Sequence, residues 1–234
     1  SYKIPCIIFS RNLKIPKLFI EEAEKNNIVI LKSTLTTTKI VGTLTLYLDD
    51  IFAPSHNIHG TLLDVFGVGV LLLGKSGVGK SETALELIDR GHRLVADDVV
   101  EVSCKVGKFL MGAGVSFIRH HMEIRGLGII DIKSLYGSSS VRNQKRLGLV
   151  VSLEEWDSNK NYERLGLEEK SYTILGIDLP HYVIPLKPGR NISILIEVAT
   201  STQRLKRMGI NPVREIEKKM FDIMRKNNSL DAAF

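Results

Sequence analysis

The sequence predicts an α/β protein in two parts: a P-loop domain with a mixed β-sheet, preceded by part of a smaller amino-terminal α/β domain. Three observations carry this prediction. The stretch "VLLLGKSGVGKSETALELI", residues 70 to 88, is an apolar strand that breaks into glycines and a lysine and then resumes with helical spacing. Strand-like runs dominate from Ile58 onward. The chain before that point reads instead as strand, helix, strand and helix.

In chain order, "IPCIIF" reads as a buried strand. "PKLFIEEAEKNN" reads as a helix with Pro16 in its first turn and Leu18, Ile20 and Ala23 as apolar positions. "IVILK" is a strand, which completes a βαβ-like fragment. In "STLTTTKIVGTLTLYLDDIFA" the Leu44, Leu48, Ile51 and Phe52 stripe predicts a helix in the second half, and Pro54 to Asn57 a linker. The division is therefore set at 1–54 and 55–234. Because the chain opens without Met on a strand-like run, Ser1 is expected to lie inside a longer natural protein that carries the rest of the first domain.

In the second part, "IHGTLLDVF" and "GVLLLG", joined by a turn at Gly67, predict a hairpin that feeds the glycine loop. "SETALELIDRG" is a helix stopped by Gly91. "HRLVA", "VVEVSC", "KFLMGA", "LGLVVSL" and "HYVIPL" supply further strands. "ISILIEVATSTQRLKRMG" and "VREIEKKMFDIMRKN" suggest two closing helices, although "ISILIEV" alone suits a strand equally well.

Composition narrows the function classes. With 234 residues, 44% of them hydrophobic, the chain has enough apolar side chain for a sizeable core. The net charge of +6 comes from basic residues that are scattered, with no run interleaved with aromatics, so a nucleic-acid partner is not expected. Cys6 and Cys104 lie far apart without metal-ligand spacing, which argues against a disulfide framework or a zinc site and fits a reducing cytoplasm. No apolar stretch reaches the roughly 18 residues of a membrane span, and no signal peptide precedes the first charges.

The loop Gly74, Lys75, Ser76, Gly77, Val78, Gly79, Lys80, Ser81 satisfies GxxxxGK[ST] between a strand and a helix, the setting that motif requires. Glycines let backbone N–H groups converge on phosphate oxygens, Lys80 reaches the terminal phosphates, and Ser81 is suited to Mg²⁺. In "RLVADDVV", Asp97 and Asp98 end one strand and begin the next. Acids there suit proton acceptance or metal-bound water, and equally a solvated turn. His59, in "NIHG", starts the hairpin that feeds the loop and is either a proton-exchanging partner or a packed histidine. In "HHMEIRGLGIIDI" a strand would place Glu123 and Arg125 on one face, suited to completing a magnesium site and neutralising a phosphoryl group, or forming an ordinary exposed ion pair.

Taken together, "GKSGVGKSETALELIDRGHRLVADD", "EIRGLGIID", "YERLG" and "PLKPGRN" closely resemble the HPr kinase/phosphorylase family, in order from about Ile58 to Gly209. "TLTTTKIVGTLTLYLDD" is similar to the latter part of that family's amino-terminal domain, and "VATSTQRLKRMG" departs from the Ala-Met-Asn usual near its "TST".

The resemblance implies a bifunctional enzyme of carbon catabolite regulation. It would use ATP, or pyrophosphate, with Mg²⁺ to phosphorylate a regulatory serine on the phosphocarrier protein HPr. In reverse, inorganic phosphate attacks the phosphoserine and releases pyrophosphate. The implied fold is the P-loop arrangement shared with phosphoenolpyruvate carboxykinases, and the implied assembly is a cytoplasmic homohexamer. By the family pattern His59, Lys80, Asp98 and Arg164 are the catalytic positions, with Asp97 in support, and Ser81 with Glu123 are the magnesium ligands. Arg125, Gly126 and Gly128 fall in the signature serving both directions, and Lys187, Gly189 and Arg190 in the loop tied to dephosphorylation. Two readings compete: a P-loop kinase of a small metabolite, which needs an enclosed acceptor pocket, and a nucleotide-sensing regulator that transfers no phosphate.

Overall fold

The computed structural model describes residues 3–115, 119–160, 162, 170–211 and 215. It divides into two compact units, Ser1–Ala53 and Pro54–Phe234.

In the first unit β1 (Cys6–Phe9) and β2 (Val29–Lys32) pair in parallel and are linked by α1 (Lys17–Lys25), a βαβ crossover. Pro16 is the N-cap of α1, Ala23 is its buried residue, and Phe19 packs edge-on against Phe9. α2 (Thr37–Ile51) begins earlier than its apolar stripe predicts. The β-branched run Thr36–Thr38 looks unhelical, yet the Thr36 hydroxyl accepts from the Lys39 amide and caps the helix.

In the second unit the expected linker is a strand. β3 (Ser55–His59) pairs antiparallel with the later strand Val99–Lys105, and its mostly exposed side chains leave no apolar signal. There follow β4 (Thr61–Val65), β5 (Val68–Leu73), α3 (Lys80–Asp89), β6 (Arg93–Ala96), β7 (Val99–Lys105) and β8 (Phe109–Gly114). Then come β9 (His121–Ile124), β10 (Gly128–Asp131), α4 (Ile132–Tyr136), β11 (Gln144–Glu155), β12 (Lys170–Ile174), β13 (Ile177–Leu186) and α5 (Ile192–Arg207). The "ISILIEV" run is therefore helical, capped by the Asn191 side chain on the Ile194 amide. The second closing helix, "VREIEKKMFDIMRKN", lies almost wholly outside the described residues.

One large mixed sheet runs β3-β7-β8-β11-β5-β4-β6, with β13 also paired to β11 and β12 to β13. Its directions explain where the site lies. β5 is parallel to β11, β11 is parallel to β13, and β4 is antiparallel to both β5 and β6. So β5, β6, β11 and β13 point the same way, and the segments after them open on one edge, where ligands of such sheets gather.

β4 and β5 are buried on both faces, which is why they read as continuous apolar runs. On one face Leu63, Val70, Leu72, Leu149 and Val151 pack with Ala84, Leu87 and Ile88 of α3 and Ile196 of α5. On the other, Leu62, Leu71, Leu73 and Val150 pack with Val100, Val102 and Leu110. At about 1.5–3 kcal/mol for each fully buried aliphatic side chain, these two layers hold the loops at the sheet edge in fixed positions.

Candidate active site

The glycine loop follows β5 and ends in α3. A Cβ on Gly74 would lie 2.6 Å from the Leu153 carbonyl oxygen and 2.8 Å from Val78, so only glycine fits there. Gly79 is the left-handed N-cap of α3, leaving the first-turn N–H groups free to meet an anion. Lys80 is the first residue of that helix. Its ammonium reaches back across the loop and donates to the carbonyls of Gly74 (2.9 Å) and Lys75 (3.0 Å).

Asp97 and Asp98, adjacent at the end of β6, have opposite surroundings. Asp97 is buried; its Oδ1 accepts from the Thr61 hydroxyl at 2.6 Å and its Oδ2 from the Ser81 hydroxyl at 3.0 Å. Burial pushes its carboxyl above the usual range, against the opposing pull of the Thr61 and Ser81 hydrogen bonds. Asp98 has a left-handed backbone (φ 64°), held by a hydrogen bond from the Gly60 amide to its carbonyl, and its side chain is 79% exposed. That turn sends the second carboxyl outward, where His59 Nδ1 stands 3.9 Å from Asp98 Oδ1.

The route by which His59 arrives differs from the sequence expectation. It belongs to β3, paired opposite Val99 of β7, and not to the β4–β5 hairpin.

Thr61 carried no signal in the sequence, since a threonine opening an apolar strand is unremarkable. Its role depends on Asp97, 36 positions away.

Ser81 and Asp97 form a hard-oxygen pair at the head of α3. A buried carboxyl that accepts from two neutral hydroxyls suits a small divalent cation such as Mg²⁺. Glu123 sits on the exposed face of β9, and no cluster of three or more potential metal-ligating side chains occurs among the described residues.

β9 and β10 form an antiparallel hairpin in which Glu123 faces Ile129. Arg125 follows directly, and its guanidinium nitrogens lie 2.7 and 2.8 Å from where a Cβ of Gly77 would stand. The hairpin is therefore laid against the phosphate loop, with Gly126 and Gly128 taking left-handed conformations in the tight turn.

After β13, Gly189 turns with φ 83° and Arg190 donates to the Pro185 carbonyl. This segment lines a groove of about 520 Å³ with Val78, Gly79 and Thr83. Lys187 lies over the Trp156 ring, on which Tyr162 stacks. Arg164 and most of "NYERLGL" lie outside the described residues.

Residues 50–220 match the model of the HPr Serine kinase C-terminal domain, and residues 1–48 match that of the HPr Serine kinase N terminus. An HPr kinase/phosphorylase of Caldanaerobacter subterraneus subsp. tengcongensis is 51% identical over 221 residues, spanning 94% of this chain and 72% of the relative. Those of Bacillus licheniformis and Treponema pallidum are each 50% identical, over 94% and 97% of this chain and 71% and 72% of the relatives. The structure of the Hpr(Ser) kinase/phosphatase from Coxiella burnetii superposes with a TM-score of 0.61 at 36% identity, covering 66% of this chain and 93% of that one.

Proposed function

The chain belongs to the HPr serine kinase family, and from that premise we propose that it phosphorylates a serine of the phosphocarrier protein HPr and reverses the step with inorganic phosphate. The observation that best supports a protein acceptor is the exposure of the proton-transfer pair. The His59 and Asp98 side chains are 87% and 79% exposed, so they stand on an open surface and not in the closed pocket that a small metabolite needs.

In the kinase direction ATP lies with its phosphates along the Gly74–Ser81 loop, beneath the α3 N-terminus and the Lys80 ammonium. Asp98 accepts the proton of the serine hydroxyl as the Ser O–P bond forms, and the bond from the γ-phosphorus to the β-bridging oxygen breaks to release ADP. His59 stands beside Asp98, its Nδ1 3.9 Å from Oδ1, where it can orient the carboxyl toward the serine. Arg125, against Gly77, and Arg164 offer positive charge to the transferring group.

In the phosphorylase direction protonated Asp98 returns its proton to the leaving serine oxygen while a phosphate oxygen attacks phosphorus. Pyrophosphate forms, and the proton of the attacking phosphate restores the carboxyl. Magnesium, when bound, supplies positive charge against the phosphate oxygens, with Ser81 and Asp97 to hold it and Glu123 as the further family-implied ligand. Gly189 and Arg190 border the same loop, in the segment that the family pattern ties to dephosphorylation. Pyrophosphate as donor, a homohexamer and a cytoplasmic location belong to the same proposal, and no helix among the described residues is long and apolar enough to cross a membrane.

The test is to mix the protein with HPr and Mg-ATP, follow phosphoserine, and then add phosphate. Phosphoserine that forms and then disappears with release of pyrophosphate supports the reading. ATP turnover without labelled HPr contradicts it.

A further inference from the structure

The glycine loop has two flanks, and a nucleotide whose phosphates lie along it must rest its base on one of them. On the α3 side, the groove that Gly189 and Arg190 line with Gly79 and Thr83 carries no aromatic ring. On the β11 side, Lys75 and Val78 of the loop itself line a cavity of about 290 Å³ with Leu153, Glu155, Asp157 and Tyr162. β11 ends in that wall, and the Leu153 carbonyl lies against Gly74, so cavity and loop share one edge of the sheet.

The Tyr162 ring is fixed in this wall. Its hydroxyl accepts from the Asp157 amide at 3.1 Å and donates to the Glu155 carbonyl at 3.4 Å. Its ring stacks on Trp156, with centroids 4.9 Å apart and 28° between the planes, and the Lys187 ammonium stands 5.1 Å from the Trp156 centroid. An aromatic surface held this way loses little freedom when another flat ring packs on it. Lys160, the flexible side chain 5.8 Å from the Tyr162 centroid, is 47% exposed and free to yield to such a ring.

Charge decides what kind of group fits. Glu154, Glu155 and Asp157 line the cavity against Lys75 and Lys160, and Glu154 takes the Lys160 ammonium on both oxygens at 2.7 Å. An excess of carboxylate repels a phosphate and accepts from the N–H groups of a neutral ring. Polyphosphate therefore stays on the loop, and the flank beside it suits the base.

We infer that the cavity between the glycine loop and the end of β11 holds the purine base of the nucleotide donor, packed against the Tyr162 ring that Trp156 backs. This rests on the reading that the phosphoryl donor is a nucleotide held by the loop. Tyr162 touches the base, Trp156 positions Tyr162, and neither takes part when the ligand has no base.

The experiment compares wild type with Tyr162→Ala, Trp156→Leu and the conservative Tyr162→Phe. Calorimetric titration measures affinity for Mg-ATP and for magnesium tripolyphosphate, which carries the same phosphates without a nucleoside, and steady-state assays measure KM for HPr. Tyr162→Ala and Trp156→Leu are expected to weaken ATP binding roughly tenfold, the scale of a lost base–aromatic contact, while tripolyphosphate affinity and KM for HPr stay within about twofold of wild type. Tyr162→Phe keeps the ring and stays within about threefold for ATP. Hydrogen exchange on the wild type supplies a measurement independent of any variant's folding: ATP should protect backbone amides of residues 153–162 that tripolyphosphate leaves unprotected.

Equal weakening of ATP and tripolyphosphate, or unchanged ATP affinity in both variants, overturns the inference and leaves the kinase reading intact. A raised KM for HPr with unchanged ATP affinity overturns it as well, because the wall then meets the acceptor protein. Equal protection by the two ligands has the same consequence. Failure of the wild type to bind ATP overturns the inference and the kinase reading together.

Discussion

Thr61→Val removes one hydroxyl and almost no volume, which makes it a sharp probe of the buried acid. Thr61 is fully buried and donates at 2.6 Å to Asp97 Oδ1, while Ser81 serves the other oxygen. A hydrogen bond to a charged group contributes about 1.5–3 kcal/mol, and one pKa unit corresponds to about 1.4 kcal/mol. Losing the Thr61 donor should therefore raise the Asp97 carboxyl further above a value that burial already raises.

The sign follows from linkage. A carboxyl whose folded pKa is raised contributes stability that is present below its unfolded pKa and lost as pH rises through the folded value. The variant should lie close to wild type at low pH and fall about 2 kcal/mol below it at pH 8. Its Mg²⁺-dependent nucleotide affinity should weaken at a higher pH than that of wild type as the solution is acidified. Urea unfolding across pH 4 to 8, with magnesium titrations alongside, measures both. Equal stability at every pH with unchanged magnesium dependence would refute the assignment of Asp97 as the buried carboxyl held by Thr61 and Ser81.

Gly77→Ala places a methyl group 2.7 Å from the Arg125 guanidinium at φ 79°, so nucleotide affinity should fall at least tenfold, roughly, and stability by about 1–3 kcal/mol; calorimetric titration with an ATP analogue and urea unfolding read the two effects. Glu197 accepts from Arg90 at 2.6 and 2.9 Å and contacts the buried His92 at 2.9 Å, tying α5 to the end of α3. The Arg90 guanidinium chiefly, with His92, holds the Glu197 carboxyl below its usual range. The stability it contributes is present above the ordinary carboxylate range and lost as pH falls through the lowered value. Glu197→Ala should cost about 2 kcal/mol at pH 7 and much less near pH 3, as denaturation at the two pH values would report.

Much of the fold is legible because its periodicities are local. The continuous apolar runs of β4 and β5, the stripe of α3 and the glycine loop each declare themselves within a dozen residues. β3 does not, because an edge strand with exposed side chains has the composition of a linker, and its pairing with Val99–Ser103 is a distant contact. α2 hides its first turns because Thr36–Thr38 are β-branched and only the cap reveals them.

At the site, residue types and spacing single out both acids but do not separate them. Which carboxyl is buried depends on the left-handed backbone of Asp98 and on Thr61 and Ser81, three residues brought together by the sheet. The approach of Arg125 to Gly77, 48 positions back along the sequence, is likewise a product of tertiary packing.

The central claim is that the exposed carboxyl of Asp98 moves the proton in both directions while its neighbour serves the loop. The most direct measurement is Asp98→Asn, assayed for HPr phosphorylation and for phosphate-driven dephosphorylation, with nucleotide affinity determined in parallel. Both rates should fall at least a hundredfold, roughly, the scale of a lost general acid/base, with affinity for Mg-ATP within about twofold of wild type. Near-normal transfer in either direction would contradict the claim.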